Sequence, residues 1–230
     1  YQSEAELEKE FIKLLESQSY EYLPIHTEVD LILNLRKKLE ELNKYNFSDS
    51  EWDQFLSSCI IGKNEGIVEK TRKIQEDYVQ ILHRDDGTTK NIKFIDKTNI
   101  HNNKLQVINQ YIETNGNHDT RYDVTILVNG LPLVHVELKR RGVAIREAFN
   151  QIERYQRDSF WASSGLFEYV QIFVISNGTN TKYYSNTTRW NHVKDFNKQQ
   201  SARKSKTSNS FEFTSFWADG SNKIISDLVD

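Results

Sequence analysis

Residues 121–155 read RYDVTILVNGLPLVHVELKRRGVAIREAFNQIERY and carry the side chains best suited to chemistry. Asp123, Glu137 and Lys139 fall on two strand-like runs separated by Asn129-Gly130, a dipeptide that favours a tight hairpin turn. Two carboxylates and an ammonium converging at a sheet edge could hold a divalent cation and assist hydrolysis of a phosphodiester. Gln151 and Tyr155 follow on an amphipathic helical run, four residues apart and so along one edge of it.

Strand faces alternate, which puts Asp123, Thr125 and Leu127 on one side and Tyr122, Val124, Ile126 and Val128 on the other. On the second run Leu133, His135, Glu137 and Lys139 share a side, opposite Val134, Val136 and Leu138. A two-residue Asn129-Gly130 turn pairs Val128 with Leu131 and therefore Asp123 with Val136, which sets a carboxylate among apolar side chains. An odd loop such as Asn129-Gly130-Leu131 with a bulge pairs Asp123 with Glu137, Thr125 with His135 and Val124 with Val136. Sorting polar with polar favours that second register.

Two acids this close repel unless something positive sits between them. A divalent cation resolves the conflict. Hard oxygen ligands select Mg2+ or Mn2+, and a few carboxylates leave positions for water and a phosphate. A surface carboxylate pair neutralised by Lys139 or Arg121 is the alternative that spacing leaves open. Glu137 and Lys139 are expected on a solvent-facing cleft. The His135-Val136-Glu137 triplet is no zinc-deaminase signature, since no P-C-x-x-C follows it.

The elements around the hairpin must position these groups. Ser3–Ser19 is expected to be a helix with an S-x-x-E cap at Ser3 and Glu6 and an apolar face of Leu7, Phe11, Leu14 and Leu15. Glu8 projects among those apolar positions, either toward a polar site or snorkelling to water. Helices are predicted over Glu28–Leu42, Asp49–Ile60, Glu65–Gln75 and Val143–Ser159. Strands are predicted over Tyr78–His83, Asn91–Asp96, Leu105–Glu113, Tyr122–Val128, Leu133–Lys139, Tyr169–Ser176 and Lys182–Ser185. Asp86-Gly87 marks a turn and Asn115–Thr120 a loop. In the helix after the hairpin, Ile145, Ala148, Phe149 and Ile152 form the core stripe. Arg146, Glu147, Arg154 and Arg157 lie outside it, solvated or against phosphate. Arg140, Arg141, Arg146 and Arg154 are the candidates for DNA contact.

Composition narrows the setting. With 30 Lys+Arg against 33 Asp+Glu, a net charge of -3 and 37% apolar residues, the 230-residue chain reads as globular with no bulk basic character. Any DNA contact must come from a local basic face or from a neighbour. The basic, Ser-rich run Lys198–Ser210 is expected to be a mobile linker, with DNA contact as the other option. A lone Cys59 excludes an internal disulfide and suits a reducing cytosol. No apolar run approaches a membrane span and no signal peptide opens the chain, so a cytoplasmic protein without a membrane partner is expected. A chain that opens on Tyr1 and holds no Met is expected to lack native residues at its start, and the tail Phe211–Asp230 looks cut before its partner surface.

The spacing D-x13-E-x-K followed by Q-x-x-x-Y resembles the PD-(D/E)xK nuclease superfamily in its RecB-like subgroup. The longer phrase RYDVTILVNGLPLVHVELK with AIREAFNQIERY resembles the restriction (R) subunit of type I restriction-modification enzymes, nearest to the type IC group. QSEAELEKEFI, EKTRKI, SNGTNTKYYSNT and FTSFWA are also similar to that family's N-terminal region, so the resemblance spans essentially the whole chain. It implies an α/β (α+β) fold, a PD-(D/E)xK core of central mixed sheet flanked by helices, with a helical insertion at residues 28–76 after the first helix. Residues 1–200 would be the endonuclease domain, and 201–230 a basic linker toward a motor domain absent from the chain.

By motif position the resemblance implies Asp123 and Glu137 as ligands of Mg2+, with Mn2+ as a substitute. Lys139 would orient or activate the attacking water and stabilise phosphate charge. Gln151 and Tyr155 would support them, and Glu8 matches the acidic residue that many members supply from the first helix. Tyr122 stands where the superfamily's name puts proline. The implied activity is endonucleolytic cleavage of double-stranded DNA, in a subunit that also translocates DNA with ATP and works with methyltransferase and specificity subunits. The chain holds no G-x-x-x-x-G-K-[ST] segment, so ATP would be bound by the downstream translocase, and the isolated piece is expected to cleave weakly or not at all. Two rivals stand beside this reading: a nuclease-fold DNA-binding or assembly module with vestigial acids, and a free-standing repair or junction-resolving nuclease.

Overall fold

The computed structural model describes residues 3–62, 65–113, 120–155, 165–186, 211, 214–218, 221 and 223–224. Ser3 caps α1 (Glu4–Ser17): its hydroxyl accepts from the Glu6 amide while the Glu6 carboxylate accepts from the Ser3 amide. The face of α1 that packs is Leu7, Phe11, Ile12 and Leu15, with Leu14 only partly covered. These side chains meet Val107, Val124, Val136, Leu138 and Val174 of the sheet.

Three more helices follow, α2 (Glu28–Asn43), α3 (Asp49–Phe55) and α4 (Ile67–Gln75). The run expected as one helix to Ile60 loosens into a π turn over Leu56–Ile60. There Ser57 Oγ donates to the Asp53 carbonyl at 2.8 Å and Ser58 Oγ to the Gln54 carbonyl at 2.7 Å, which competes with the backbone ladder. Strands β2 (Val79–His83) and β3 (Thr89–Lys93) form a separate hairpin around Asp86-Gly87.

The main sheet contains β1 (Glu21–Tyr22), β4 (Leu105–Glu113), β5 (Thr120–Val128), β6 (Leu131–Leu138), β7 (Ile172–Ser176), β8 (Thr181–Ser185) and β9 (Ser215–Phe216). Their spatial order is β1-β4-β5-β6-β7-β8-β9. The β1–β4 and β6–β7 pairs are parallel and the rest antiparallel. Helix α5 (Ile145–Tyr155) makes the crossover that a parallel β6–β7 pair requires. Neighbours in sequence such as Val107 and Ile108, or Phe173 and Val174, fall in different clusters, so the sheet divides the core. Leu31, Leu35 and Leu39 of α2 and Phe149 and Ile152 of α5 pack opposite α1. The expected central mixed sheet flanked by helices is therefore present.

The strand expected over Tyr169–Ser176 is shorter. Leu166–Tyr169 is a 3-10 turn, and β7 starts at Ile172. Tyr169 is used elsewhere: its hydroxyl donates to the Ile60 carbonyl at 2.9 Å, and its ring lies 5.8 Å from Lys70 Nζ. Lys70 in turn makes a buried ion pair with Glu168, so this turn anchors α4 instead of extending the sheet. The linker expected at Lys198–Ser210, the end of the helix expected past Tyr155, Arg157, and most of the Asn115–Thr120 loop lie outside the described residues. Of the tail, Phe211 packs 5.5 Å from the Phe149 ring and β9 pairs with β8.

Candidate active site

The hairpin turn is two residues long, not three. Asn129 and Gly130 have φ of 51° and 84°, the positive pair that a type I′ turn requires, and Val128 pairs with Leu131. Asn129 is locked by hydrogen bonds to the Phe94 carbonyl at 2.9 Å and from the Lys104 amide at 2.8 Å. The register nonetheless slips by one, because Leu127 pairs with Pro132 while Ile126 pairs with Val134. Leu133 is the extra residue. Pro132 beside it has no N–H to give the ladder, so a bulge costs little there. Thr125 thus meets His135 and Val124 meets Val136, two of the pairs that polar sorting favours, reached by a bulge further along β6 than expected, while the expected Asp123–Glu137 pair is not part of the ladder, which ends at Val124–Val136.

Alternation fails at the acid itself. Tyr122 packs in the larger cluster with Tyr111 and Phe167, while Val124 packs under α1. Tyr122 therefore does not share a side with Val124 as expected. Across β4, the residue between the partners of Tyr122 and Val124 is Gln110, with φ of 51°. A left-handed residue there kinks the strand pair and turns the segment around Asp123.

Asp123 Oδ2 accepts from the Leu138 amide at 2.9 Å, where the β5–β6 ladder has ended at Val124–Val136. Lys139 Nζ donates to Glu137 Oε1 at 3.0 Å and to the Leu138 carbonyl at 3.0 Å. Glu137 is fully buried and the Lys139 side chain is 12% exposed. The expected solvent-facing position of Glu137 is thus corrected, and so is the alternative of a surface carboxylate pair: parallel β7 covers β6 at this point, with Glu137 beside Ile175. Burial, and then the neighbouring Glu137 charge, push the Asp123 carboxyl up to about 7. Burial also pushes Glu137 up to about 7, although Lys139 and a hydrogen bond with Asp123 draw it down.

Glu8 faces a polar site, which resolves the choice left by its helical position. Its carboxylate accepts from Asn109 Nδ2 and Gln110 Nε2, each at 2.5 Å, and burial raises its pKa, with the Asp123 charge contributing. Tyr155 donates its hydroxyl to the Arg121 carbonyl at 2.9 Å and accepts from Gln151 Nε2, so this pair ties α5 to β5 beside Asp123. Arg140, Arg141, Arg146 and Arg154 are exposed. Arg141 donates to the Gly178 carbonyl at 2.9 Å, and the Arg146 guanidinium lies 4.7 Å from the Phe211 ring.

Among the described residues no group of three or more His, Cys, Asp or Glu side chains could hold a metal ion. The donor set is therefore the Asp123 and Glu137 carboxyls, which burial pushes toward the protonated form despite the nearby Lys139 ammonium. Glu137 Oε2 is buried without a hydrogen bond of good geometry, with His135 Nε2 3.5 Å away. That set fits Mg2+, which keeps several waters and takes one or two carboxylates. His135 and Asn109 were given no part by sequence reasoning. The pairing of Thr125 with His135 was the signal that could have drawn attention to the histidine.

Among the described residues, no helix is long and apolar enough to cross a membrane. The family model described as "Type I restriction enzyme R protein N terminus" matches residues 1–192. The chain is 48% identical over 231 residues to the type I restriction enzyme EcoprrI endonuclease subunit of Escherichia coli, covering 100% of this chain and 68% of that protein. It is 43% identical over 191 residues to the SsaAORF53P endonuclease subunit of Staphylococcus saprophyticus, and 42% identical over 191 to the SauMSSORF170P endonuclease subunit of Staphylococcus aureus. Those two matches cover 81% of this chain and 20% of each staphylococcal protein. A matching family model over most of the chain and a relative this similar along the whole of this chain agree: the chain belongs to the family of type I restriction enzyme R proteins, as their N-terminal region.

Proposed function

We propose that this chain is the Mg2+-dependent DNA-cleaving module of a type I restriction enzyme R subunit. The observation that carries the reading is the convergence of Asp123, Glu137 and Lys139 at the point where β5 and β6 part. When bound, Mg2+ would polarise a phosphoryl oxygen and lower the pKa of a water. Asp123 and Glu137 would hold it, and their raised proton affinity supports that role, because a bound cation would offset the cost of two buried charges. Lys139 would leave Glu137 Oε1 to orient the attacking water and to balance charge on the phosphate. Glu8, held by Asn109 and Gln110, would shape the field around Asp123 rather than bind the ion.

Arg140, Arg141, Arg146 and Arg154 would meet the phosphates of double-stranded DNA, which the net charge of -3 would otherwise repel. The relatives are named endonuclease subunits. An ATP-driven translocase downstream and methyltransferase and specificity subunits as partners complete the reading for the whole protein. Mn2+ or Mg2+ titration by calorimetry tests it. Binding that survives unchanged in both Asp123→Asn and Glu137→Gln would sink it, and would leave a DNA-binding or assembly module.

A further inference from the structure

His135 is fully buried on the strand that carries Glu137, two residues before it. A histidine in such a place costs more than a phenylalanine unless both ring nitrogens have polar company. Here both do. Thr125 Oγ1 lies 3.5 Å from Nδ1, and Glu137 Oε2 lies 3.5 Å from Nε2. The ring cannot swing away, because Tyr122, Tyr155 and Phe173 box it edge-on at 5.4, 6.2 and 6.4 Å between centroids.

We propose that His135 is a positioning residue for Glu137, with Thr125 setting the ring so that Nε2–H points at Oε2. The proposal deepens the metal-dependent reading above and rests on it for its consequence. Thr125 is itself fixed by the ladder pair with His135. If its hydroxyl donates to Nδ1, the ring hydrogen of a neutral histidine must sit on Nε2. If the ring is doubly protonated, Nε2 carries a hydrogen as well. In either form Glu137 Oε2 faces a donor. Lys139 holds Oε1 on the other side at 3.0 Å, while Nε2 stands 3.5 Å from Oε2 without a hydrogen bond of good geometry, so a small shift of the carboxylate would give it a second donor from its own strand. When Lys139 turns to substrate, His135 remains as the group that keeps Glu137 aimed. A donor behind a ligating carboxylate of this kind changes metal affinity by about 10- to 100-fold.

The first test uses the metal-free protein. Ring nitrogen NMR should show His135 with its hydrogen on Nε2, and that resonance should move in Glu137→Gln and in Thr125→Val. A hydrogen on Nδ1 alone, or an Nε2 signal indifferent to Glu137, overturns the proposal. The second test measures Mn2+ affinity by calorimetry. His135→Phe keeps the aromatic packing and should weaken binding about 10- to 100-fold, and His135→Gln, which restores an amide donor near Nε2, should recover most of it. Unchanged affinity in a cooperatively melting His135→Phe protein also overturns the proposal. A wild-type protein that binds no Mn2+ removes the metal reading, and the ring signal then decides the His135–Glu137 contact by itself.

Discussion

The Asp123 carboxylate takes the Leu138 amide hydrogen at 2.9 Å, so a side chain closes the β5–β6 ladder where no carbonyl does. That bond fixes one oxygen of Asp123 beside the backbone next to Glu137. It also commits a charged group to a half-buried place, where burial and Glu137 both disfavour ionisation.

Stability should therefore depend on pH in a definite sense. The folded-state pKa values of Asp123 and Glu137, each about 7, lie above the ordinary values of 3.8 and 4.5. The stability they contribute is full below about pH 4 and is lost as pH rises through about 7. Metal-free protein should lose on the order of 3 kcal/mol over that window from Glu137 alone. Excess Mg2+ should restore it at pH 8 and above, and Glu137→Gln should flatten the metal-free slope. Melting curves across pH with and without chelator check this. A slope in Glu137→Gln equal to that of the wild type would count against it.

Lys139 separates catalysis from folding. Its side chain is 12% exposed and its partners are Glu137 Oε1 and a backbone carbonyl. Lys139→Ala should lower DNA cleavage by the assembled enzyme about 10²- to 10³-fold while the domain still melts cooperatively. Asp123→Ala and Glu137→Ala should likewise abolish cleavage without unfolding. Collapse of all three variants would instead make the cluster a structural feature.

Gly130 tests the turn that sets the register. Its φ of 84° and a would-be Cβ only 2.6 Å from Leu35 Cα mean that a methyl group meets both backbone strain and a wall of α2. Gly130→Ala should cost roughly 3 kcal/mol in urea denaturation. A loss under about 1 kcal/mol would mean that α2 gives way there.

Particular residues show why some of this was legible beforehand. The capping pair Ser3 and Glu6, the limits of β4, and the pairing of Thr125 with His135 all follow from local rules of hydrogen bonding and polar sorting. What sequence could not fix came from tertiary demands. Proline at 132 moved the bulge away from the turn, the kink opposite Gln110 turned Tyr122 out of alternation, and β7 buried a glutamate expected at the surface. Tyr169 was expected in a strand because of its type, yet it anchors the segment ending at Ile60, a contact 109 residues away in sequence.

Tyr155 supplies the last prediction. A tyrosine four residues after Gln151 could have oriented DNA directly, but its hydroxyl is spent on the Arg121 carbonyl, two residues before Asp123, and its ring is buried. The pair therefore acts on the position of β5. Tyr155→Phe should cost about 1 kcal/mol of stability and weaken Mn2+ binding along with cleavage, since Asp123 loses a nearby anchor. Gln151→Ala leaves the Tyr155–Arg121 bond in place and should do less on each count. If Gln151→Ala instead abolished cleavage while Tyr155→Phe cut DNA as the wild type does, the pair would be contacting substrate through the glutamine and the anchoring account would fail.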